Sequence, residues 1–539
     1  MSLLQDENMQ NKRMLLILLL FALFAGAAIG LATRWGPWAY SDGVGYIANA
    51  RNLSAGHGLG LFRASGRFVV TSHQPPLYIL VLAGPSLFGI DPLPAARYLG
   101  ISSFSVLVFL VGYFSFRLTR NSLLAIAVSA VMLTSPYLID LYAGAMSEGL
   151  FILLSTTAIL FYAYGVNRER DNLIYLAAAL LGLASITRYA GIGFLIALAL
   201  TPLFLKGKTF RHKLFVTGIS LFIALIPLSM WYLWLGSQAS AEPVRSYSFE
   251  LGRIVTYWRS VRAAMIDSIW ESFPFLSKYL LDSYQIRFFI LAGLAIIFAS
   301  MILWGYRRHK AKGDEVEASF WLTIIPLAFV FSYSLTLIAA FIFSNPQPDF
   351  NLRTLSPAIG LVYISLVSCC FWVISFFNHR SLKFLSIAPL ILLTIGNVLQ
   401  SRWLINELHT HGRGYTSQRW QESILLEKLG EYAWDIPIIT NDSIVILLYN
   451  DRYAYDLNPS ILQSEDSELT RFGDRGSEEL DQIFRDQGAL LIIFDTFQFQ
   501  LAERIGGKWQ EVQTTLLGGL EVDYEAPDGA IYLYPTTFE

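Results

Sequence analysis

The sequence has few charged residues and almost no cysteine. Only 15% of its 539 residues are charged and only two are cysteine, whereas soluble proteins carry about 25% charged residues. Two cysteines exclude a disulfide scaffold, and we expect the adjacent pair Cys369 and Cys370 to be small apolar packing residues. A hydrophobic content of 54% further excludes disorder, a collagen repeat and a coiled coil. Much of the chain is therefore expected to lie in lipid.

The charges that are present are distributed unevenly along the chain. Residues 1–400 contain 29 Lys and Arg against 17 Asp and Glu, whereas residues 401–539 contain 10 against 24. This asymmetry predicts a transmembrane domain over 1–400 and an acidic, water-soluble domain over 401–539. Basic stripes with interleaved aromatic residues are missing, so we expect no nucleic-acid partner.

Long apolar runs predict a polytopic α-helical membrane protein. Because a helix needs about 20 mostly apolar residues to cross a bilayer, about eleven transmembrane helices are expected. Their ranges are 14–33, 96–116, 121–140, 148–166, 172–187, 189–205, 214–235, 286–306, 318–344, 354–377 and 384–400. The apolar stretch 77–90 is too short to span and is expected at the interface or against the bundle.

Lys and Arg in alternate loops orient the predicted helices. They cluster in the connections near 12–13, 117–120, 168–170, 206–213, 307–312 and 380–383. Since cytoplasmic loops are enriched in these residues, the long loops 34–95 and 236–285 and the tail 401–539 should lie outside. The alternative for the N-terminus is a secretory signal, with Lys12 and Arg13 before an apolar core at 14–30.

The acidic tail has the pattern of a small soluble α/β domain. Three short apolar runs, 436–441, 489–494 and 530–534, are typical of buried strands, and 417–431 and 477–487 have helical spacing. We therefore predict a C-terminal α/β domain after the membrane helices. Whether it contacts a substrate or only binds a partner is left open by the sequence.

Acidic residues are scarce on the predicted outer side of the first 240 residues. They are Asp42, Asp91, Asp140 and Glu148, and charges near a membrane are costly enough to be candidates for function. Asp42 comes before a segment of helical spacing, so the alternative is that Ser41 or Asp42 caps that helix. Glu148 opens a predicted span, where an acid interacts well with the helix dipole.

Three basic side chains are candidates for binding an anion on the same side. Arg188 separates two apolar runs and Arg353 opens a span, and the arginine fork binds phosphate well. The alternatives are snorkelling or a local pair, such as Arg353 with Asp349. His73 lies in His73-Gln74-Pro75-Pro76, where a loop histidine without a chemical role is the simpler interpretation.

Several common catalytic motifs are missing. The sequence contains no glycine-rich phosphate loop, no His-x-Glu or Cys-x-x-Cys metal spacing and no Gly-x-Ser-x-Gly elbow. This weighs against a nucleotide-driven pump and a serine hydrolase. No cofactor is predicted firmly, and a single divalent metal ion held by Asp42 and Glu148 is the one left open.

Taken in order, these segments resemble a family of membrane glycosyltransferases. The chain is similar to GT-C glycosyltransferases of the protein O-mannosyltransferase and aminoarabinose-transferase type, including bacterial dolichyl-phosphate-mannose-protein mannosyltransferase-like members. The matching segments are Asp42-Gly43-x-x-Tyr46, His73-Gln74-Pro75-Pro76-Leu77-Tyr78, Ala95-Ala96-Arg97, Ser147-Glu148, Thr187-Arg188-Tyr189-Ala190-Gly191 and Arg353-Thr354-Leu355-Ser356-Pro357. One departure is that Gly43 follows Asp42 where the family often has a second acid.

The resemblance implies a GT-C-like fold and a specific chemistry. A hexosyl or pentosyl group would pass from a polyprenyl-phosphate donor to a lipid, glycan or protein acceptor at the outer face of a bacterial plasma membrane. Transfer would invert the anomeric carbon, with Asp42 as general base and Glu148 as the second catalytic residue. His73, Arg188, Tyr189, Arg353 and Tyr46 would bind the lipid phosphate or sugar.

Two other functions fit the same sequence features. A lipid-linked glycan polymerase or ligase would also use outer arginines and a lipid-phosphate donor, and differs in transferring a whole glycan. A non-enzymatic transporter is less consistent with the sequence, because transporters often contain internal repeats and none is visible here.

Overall fold

The computed structural model describes residues 2–205, 207–239, 241, 246–271, 284–312, 318–345, 347, 351–376, 380–457, 477–498 and 509–534. Within these ranges the chain is mainly helical, with short strands near its C-terminus. The helices are α1 Ser2–Ala32, α2 Ser41–Ser54, α3 Pro76–Ala83, α4 Pro92–Thr119, α5 Ser122–Thr134, α6 Pro136–Tyr142, α7 Ser147–Asn167, α8 Asp171–Ser185, α9 Ile192–Leu198, α10 Thr201–Phe204, α11 Phe210–Gly236, α12 Gly252–Glu271, α13 Tyr284–Lys312, α14 Ala318–Phe343, α15 Leu352–Ile374, α16 Arg380–His411, α17 Gln418–Gln421, α18 Ile424–Leu429, α19 Ser443–Asn450, α20 Ser477–Asp486 and α21 Trp509–Leu517. The strands are β1 Leu61–Phe62, β2 Phe68–Val69, β3 Ser246–Tyr247, β4 Ser344–Asn345, β5 Ile438–Thr440, β6 Tyr455–Asp456, β7 Leu490–Phe494, β8 Glu521–Ala526 and β9 Gly529–Leu533.

The chain forms two compact units. Unit 1 contains Met1–Pro37 and Ser72–Thr410, and unit 2 contains Trp38–Thr71 and His411–Glu539. The predicted domains 1–400 and 401–539 differ from this division, because part of the loop 34–95 belongs with the tail. Within unit 2, Arg51 of α2 donates to the carbonyl of Leu448 at 2.9 Å. Long-range contacts of this kind leave no pattern in the local sequence.

Unit 1 is built from helices suited to a membrane. Among the described residues, eight helices are long and apolar enough to span a bilayer, and the pair α5 and α6 together makes a ninth. The other two predicted spans are α8 and the segment Tyr189–Leu198, which are apolar but shorter than the rest. All eleven predicted runs are therefore helical, and the protein is an integral membrane protein.

The pair α5 and α6 is bent by 60°. Pro136 occupies the first turn of α6, and the Ser135 side chain accepts a hydrogen bond from the Leu138 amide. A proline cannot continue the hydrogen bonding of the preceding helix, whereas it suits a helix start. The bend therefore follows directly from the Ser-Pro sequence, although the sequence predicts one continuous span over 121–140.

The apolar stretch 77–90 forms only short helices, as expected for a segment too short to span a membrane. It forms α3 and a 3-10 turn, Gly84–Phe88, and the Leu87 and Phe88 side chains are exposed. The adjacent cysteines Cys369 and Cys370 are free and buried in α15, as expected for apolar packing residues.

Unit 2 contains a five-stranded sheet with the order β6-β5-β7-β9-β8. Strands β5, β6 and β7 are parallel, while β9 runs antiparallel to β7 and β8. Consecutive side chains of β7 enter two different hydrophobic cores, with Leu491 in one and Leu490 in the other. Such two-sided burial explains the continuous apolar runs of the strands. The predicted strands are confirmed, whereas the half-exposed β8 is not among the predicted ones.

Candidate functional site

A buried carboxylate joins two arginines in unit 1. Glu148 Oε1 lies 2.7 Å from Arg188 Nη1 and also accepts a hydrogen bond from Arg353 Nε. The Glu148 side chain is 1% exposed, whereas those of Arg188 and Arg353 are 19% and 35% exposed. One negative and two positive groups carry net positive charge, and the positive groups are the accessible ones. The cluster has the charge balance of an anion site.

Helix geometry explains why Glu148 lies at this point. Helix α7 begins at Ser147, and Glu148 lies in its first turn. The N-cap residue, Met146, makes no side-chain capping hydrogen bond. A carboxylate in this position interacts favourably with the positive end of the helix dipole. Ser147 Oγ also accepts a hydrogen bond from Arg188 Nη1 at 3.2 Å. The first two residues of α7 therefore both bind Arg188.

The Arg188 segment is a break between two apolar helices. Helix α8 ends at Ser185, Arg188 is extended, and a 3-10 turn follows at Tyr189–Gly191. A Cβ at Gly191 would lie 2.8 Å from the Ser185 Cα atom, which is too close for any larger residue. Gly191 therefore permits the tight reversal that turns Arg188 toward α7.

Arg353 lies in the first turn of α15. Asn351 and Thr354 form a capping box at this end, with the Asn351 side chain accepting from the Thr354 amide. A cation beside a helix N-terminus is unfavourable by itself, and the Glu148 carboxylate offsets that cost. The predicted alternative partner Asp349 lies outside the described residues.

The His73 loop is attached to the Arg188 segment on both sides. Tyr189 Oη donates to the Ser72 carbonyl at 2.6 Å, and the Leu77 amide donates to the Ile186 carbonyl at 3.0 Å. His73 itself is exposed. The structure therefore holds the loop that carries His73 against the segment of Arg188 and Tyr189, and the role of His73 stays a prediction.

Trp231 is a member of this region that sequence reasoning missed. Its Nε1 donates to Tyr189 Oη at 2.7 Å, and its ring stacks on Trp234 with centroids 5.0 Å apart. The ring of Tyr189 stacks on that of Tyr232. The only sequence signal was a concentration of aromatic residues at the end of an apolar helix, where such residues are common in any membrane protein.

Asp42 and Tyr46 belong to unit 2. Asp42 is exposed in the first turn of α2, and Tyr46 is buried, 6% exposed, one turn further along. The residue at the N-cap is Tyr40, without a side-chain capping bond, so the expectation that Ser41 or Asp42 caps the helix is wrong. The roles of Asp42 and Tyr46 stay predictions.

Metal ligation also stays a prediction. Within the described residues no three His, Cys, Asp or Glu side chains come together as a metal site. One Glu148 oxygen is already engaged by the guanidinium groups of Arg188 and Arg353 in this structure.

Comparison with known proteins gives a clear result for the fold. No family model and no curated protein matches the chain. Among solved structures it is similar to the crystal structure of ArnT from Cupriavidus metallidurans in the apo state, with a TM-score of 0.55 and 10% identity, covering 95% of this chain and 97% of that one. The same protein bound to undecaprenyl phosphate matches with a TM-score of 0.53 and 10% identity, covering 96% and 98%.

The chain has the ArnT fold. The GT-C-like fold class predicted from the sequence is thereby confirmed. A third structure, the S. cerevisiae protein O-mannosyltransferase Pmt1-Pmt2 complex bound to the sugar donor, is similar over 42% of this chain and 33% of that one, with a TM-score of 0.34 and 16% identity.

Proposed function

We propose that this protein is a membrane glycosyltransferase that takes its sugar from a polyprenyl-phosphate donor. The observation that carries the proposal is the pairing of Arg188 and Arg353 on the buried Glu148 carboxylate. Two partly exposed guanidinium groups on one carboxylate leave a net positive charge, and within a protein of the ArnT fold they form a site suited to a lipid phosphate. The ArnT of Cupriavidus metallidurans was crystallised with undecaprenyl phosphate bound.

The arginines supply electrostatic stabilisation. When a sugar leaves its phosphate, negative charge grows on the phosphate oxygens, and positioned cations stabilise that charge. Guanidinium groups bind phosphate oxygens as a fork. Glu148 keeps both groups oriented before the donor arrives, which lowers the reorganisation needed during the reaction. We assign Glu148 this positioning role rather than direct contact with the reacting atoms.

The acceptor is activated by a carboxylate. Asp42 removes the proton from the acceptor hydroxyl as it attacks the anomeric carbon, and the phosphate leaves from the opposite side with inversion. The exposure of Asp42 in the first turn of α2 supports this role, since a general base must be reachable by its substrate. His73, Tyr189 and Tyr46 contribute binding contacts to the donor or the sugar.

The site faces the outside of the cell in this proposal. Lys and Arg concentrate in the loops opposite to those that carry His73, Glu148 and Arg353, and cytoplasmic loops are the basic ones. We place the protein in a bacterial plasma membrane, with unit 2 extracytoplasmic. The acceptor is a lipid, glycan or protein of the cell envelope.

The test is transfer of labelled sugar from a polyprenyl-phosphate donor in membranes that contain the protein. Arg188→Gln and Arg353→Gln should each reduce transfer by about 100-fold, the usual effect of removing one transition-state donor. Asp42→Asn should abolish it, while the exposed carboxylate variant Asp486→Asn serves as the matched control. Full transfer by normally inserted Asp42→Asn protein would remove Asp42 from the mechanism.

The product separates the proposal from its alternatives. Addition of one sugar per acceptor supports the glycosyltransferase. Addition of a preassembled glycan would indicate a polymerase or ligase, and donor movement across the membrane without a new glycosidic bond would indicate a transporter.

A further inference from the structure

A second feature of unit 1 is a groove between helices at the lipid-facing surface. Helices α1 and α16 and the bent pair α5–α6 enclose a volume of about 830 Å³. Most of its wall is apolar, including Phe24 and Leu31 of α1, Ile139 of α6 and Leu399 of α16. None of these residues belongs to the Glu148 cluster, so the groove is a separate feature.

The apolar wall is open to the bilayer. Phe24, Leu31 and Leu399 are 62%, 55% and 67% exposed, and α1 and α16 both contain windows with the length and composition of membrane spans. In a lipid environment such exposed side chains contact acyl chains rather than water.

One cation lies in this groove. Arg402 is exposed and lines it, and it makes no ion pair or hydrogen bond with any other residue in the described part of the chain. Asn406 and His409 line the same groove and follow at helical spacing, so they share its face of α16. The groove is therefore apolar along most of its wall and polar along one stripe, which contains one cation, Arg402.

Arg402 lies near the end of α16, beside the apolar wall of the groove. The ring Nδ1 of His409 lies 2.9 Å from the Leu31 carbonyl, which fixes the register of α16 beside the end of α1. Arg402 is seven residues before His409, about 10 Å away along the helix, within the candidate span Ile387–His411. A charge beside an apolar, lipid-facing wall is costly, and an anion held in the groove offsets that cost.

We propose that this groove is a binding site for an anionic phospholipid of the surrounding bilayer, with its phosphate on Arg402 and one acyl chain along the apolar wall. A phosphate accepts two parallel hydrogen bonds from one guanidinium group. The opening toward the bilayer admits a two-chain lipid from the side. This inference does not depend on the proposed glycosyl transfer, because the groove shares no residue with the Glu148 cluster.

The test is lipid binding to the purified full-length protein, measured by native mass spectrometry with phosphatidylglycerol and phosphatidylcholine. The wild type should retain phosphatidylglycerol preferentially. Arg402→Gln should weaken phosphatidylglycerol binding by about ten-fold, the value of one charge-assisted hydrogen bond, and leave phosphatidylcholine binding unchanged. Arg402→Lys should keep part of the preference, and Arg34→Gln, which changes an exposed arginine outside the groove, should keep all of it.

A second variant tests the apolar wall. Ala28 lines the groove, and Ala28→Trp should fill it and reduce the retention of both lipids. Equal phosphatidylglycerol binding by the wild type and Arg402→Gln would overturn the proposal. Displacement of phosphatidylglycerol by stoichiometric undecaprenyl phosphate would also overturn it, because the occupant would then be the prenyl lipid. Sugar transfer is not measured here, so failure of this site and failure of the proposed function are distinguishable.

Discussion

Arg353 donates a hydrogen bond to Glu148, although 205 residues separate them along the chain. The contact ties the first turn of α15 to the first turn of α7, and Arg188 binds the same carboxylate oxygen. Two helix N-termini and the α8–α9 break are therefore joined by one buried charge. In our account this arrangement holds two cations ready for a lipid phosphate.

Removal of the shared carboxylate should destabilise unit 1. Glu148→Gln leaves two guanidinium groups next to each other without their counter-charge, and breaking a buried ion pair costs about 3–5 kcal/mol. We expect a clearly lower thermal midpoint of the purified protein and loss of sugar transfer. The exposed Glu427→Gln should behave like the wild type in both assays. An unchanged midpoint for Glu148→Gln would show that the carboxylate does not hold the arginines together.

The geometry of Arg353 should matter as well as its charge. Arg353→Lys keeps the positive charge but loses the planar fork, so we expect transfer to fall by about ten-fold, against about 100-fold for Arg353→Gln. The assay is initial-rate transfer from the polyprenyl-phosphate donor, with the exposed Arg67→Gln as control. Equal rates for the lysine variant and the wild type would mean that a point charge suffices.

Tyr189 should control the order of the His73 loop. Tyr189→Phe removes the bond to the Ser72 carbonyl and the bond from Trp231, each worth about 1 kcal/mol. We expect faster hydrogen–deuterium exchange in the peptide covering 72–78, with a smaller increase for Trp231→Phe. Tyr175→Phe serves as control, and unchanged exchange in Tyr189→Phe would show that the loop is held by other contacts.

The stability of unit 2 should depend on pH through Asp442, which lies just after β5. Asp442 is 7% exposed, and burial, with Asp456 nearby, raises its pKa from the usual value near 4 to about 6, despite a hydrogen bond from Tyr415. A raised carboxyl pKa favours folding when the group is protonated. Its contribution is fully present below pH 4 and is lost as the pH rises through 6.

The corresponding variant is Asp442→Asn, which stays neutral at every pH. Relative to this variant, the wild type should lose up to about 3 kcal/mol of stability between pH 4 and pH 7, by the linkage between pKa and folding. Hydrogen exchange of the β5 amides, corrected for the intrinsic effect of pH, measures the difference. A constant difference between the two proteins across this range would contradict the pKa assignment.

Sequence patterns were sufficient to predict the helices but not to predict which residues come together in the site. Apolar runs of about 20 residues and β-rich segments such as 489–494 are local signals, and they predicted the membrane helices and three strands correctly. The Glu148–Arg353 pair is formed by residues from distant helices, and nothing local specifies it. The sequence therefore identified both residues as candidates for separate roles, and only the structure shows that they are in contact.

The same limit explains why the sequence did not assign the segment Trp38–Thr71 to the same unit as the tail. Helix α2 was predicted from its spacing, but its hydrogen bonds to the tail, such as Asn52 Nδ2 to Tyr453 Oη at 2.8 Å, depend on tertiary contacts. The predicted boundary at residue 400 followed composition, whereas compactness depends on which segments pack together. Composition cannot report an insertion that packs with a distant part of the chain.

The central claim is that Arg188 and Arg353 bind the phosphate of a polyprenyl lipid. Equilibrium binding of labelled undecaprenyl phosphate to the purified protein tests it most directly. We predict saturable binding by the wild type and by Arg67→Gln, and at least about ten-fold weaker binding by Arg188→Gln and Arg353→Gln, as expected from the loss of a charge-assisted contact. Equal affinity of all four proteins for the lipid would contradict the account.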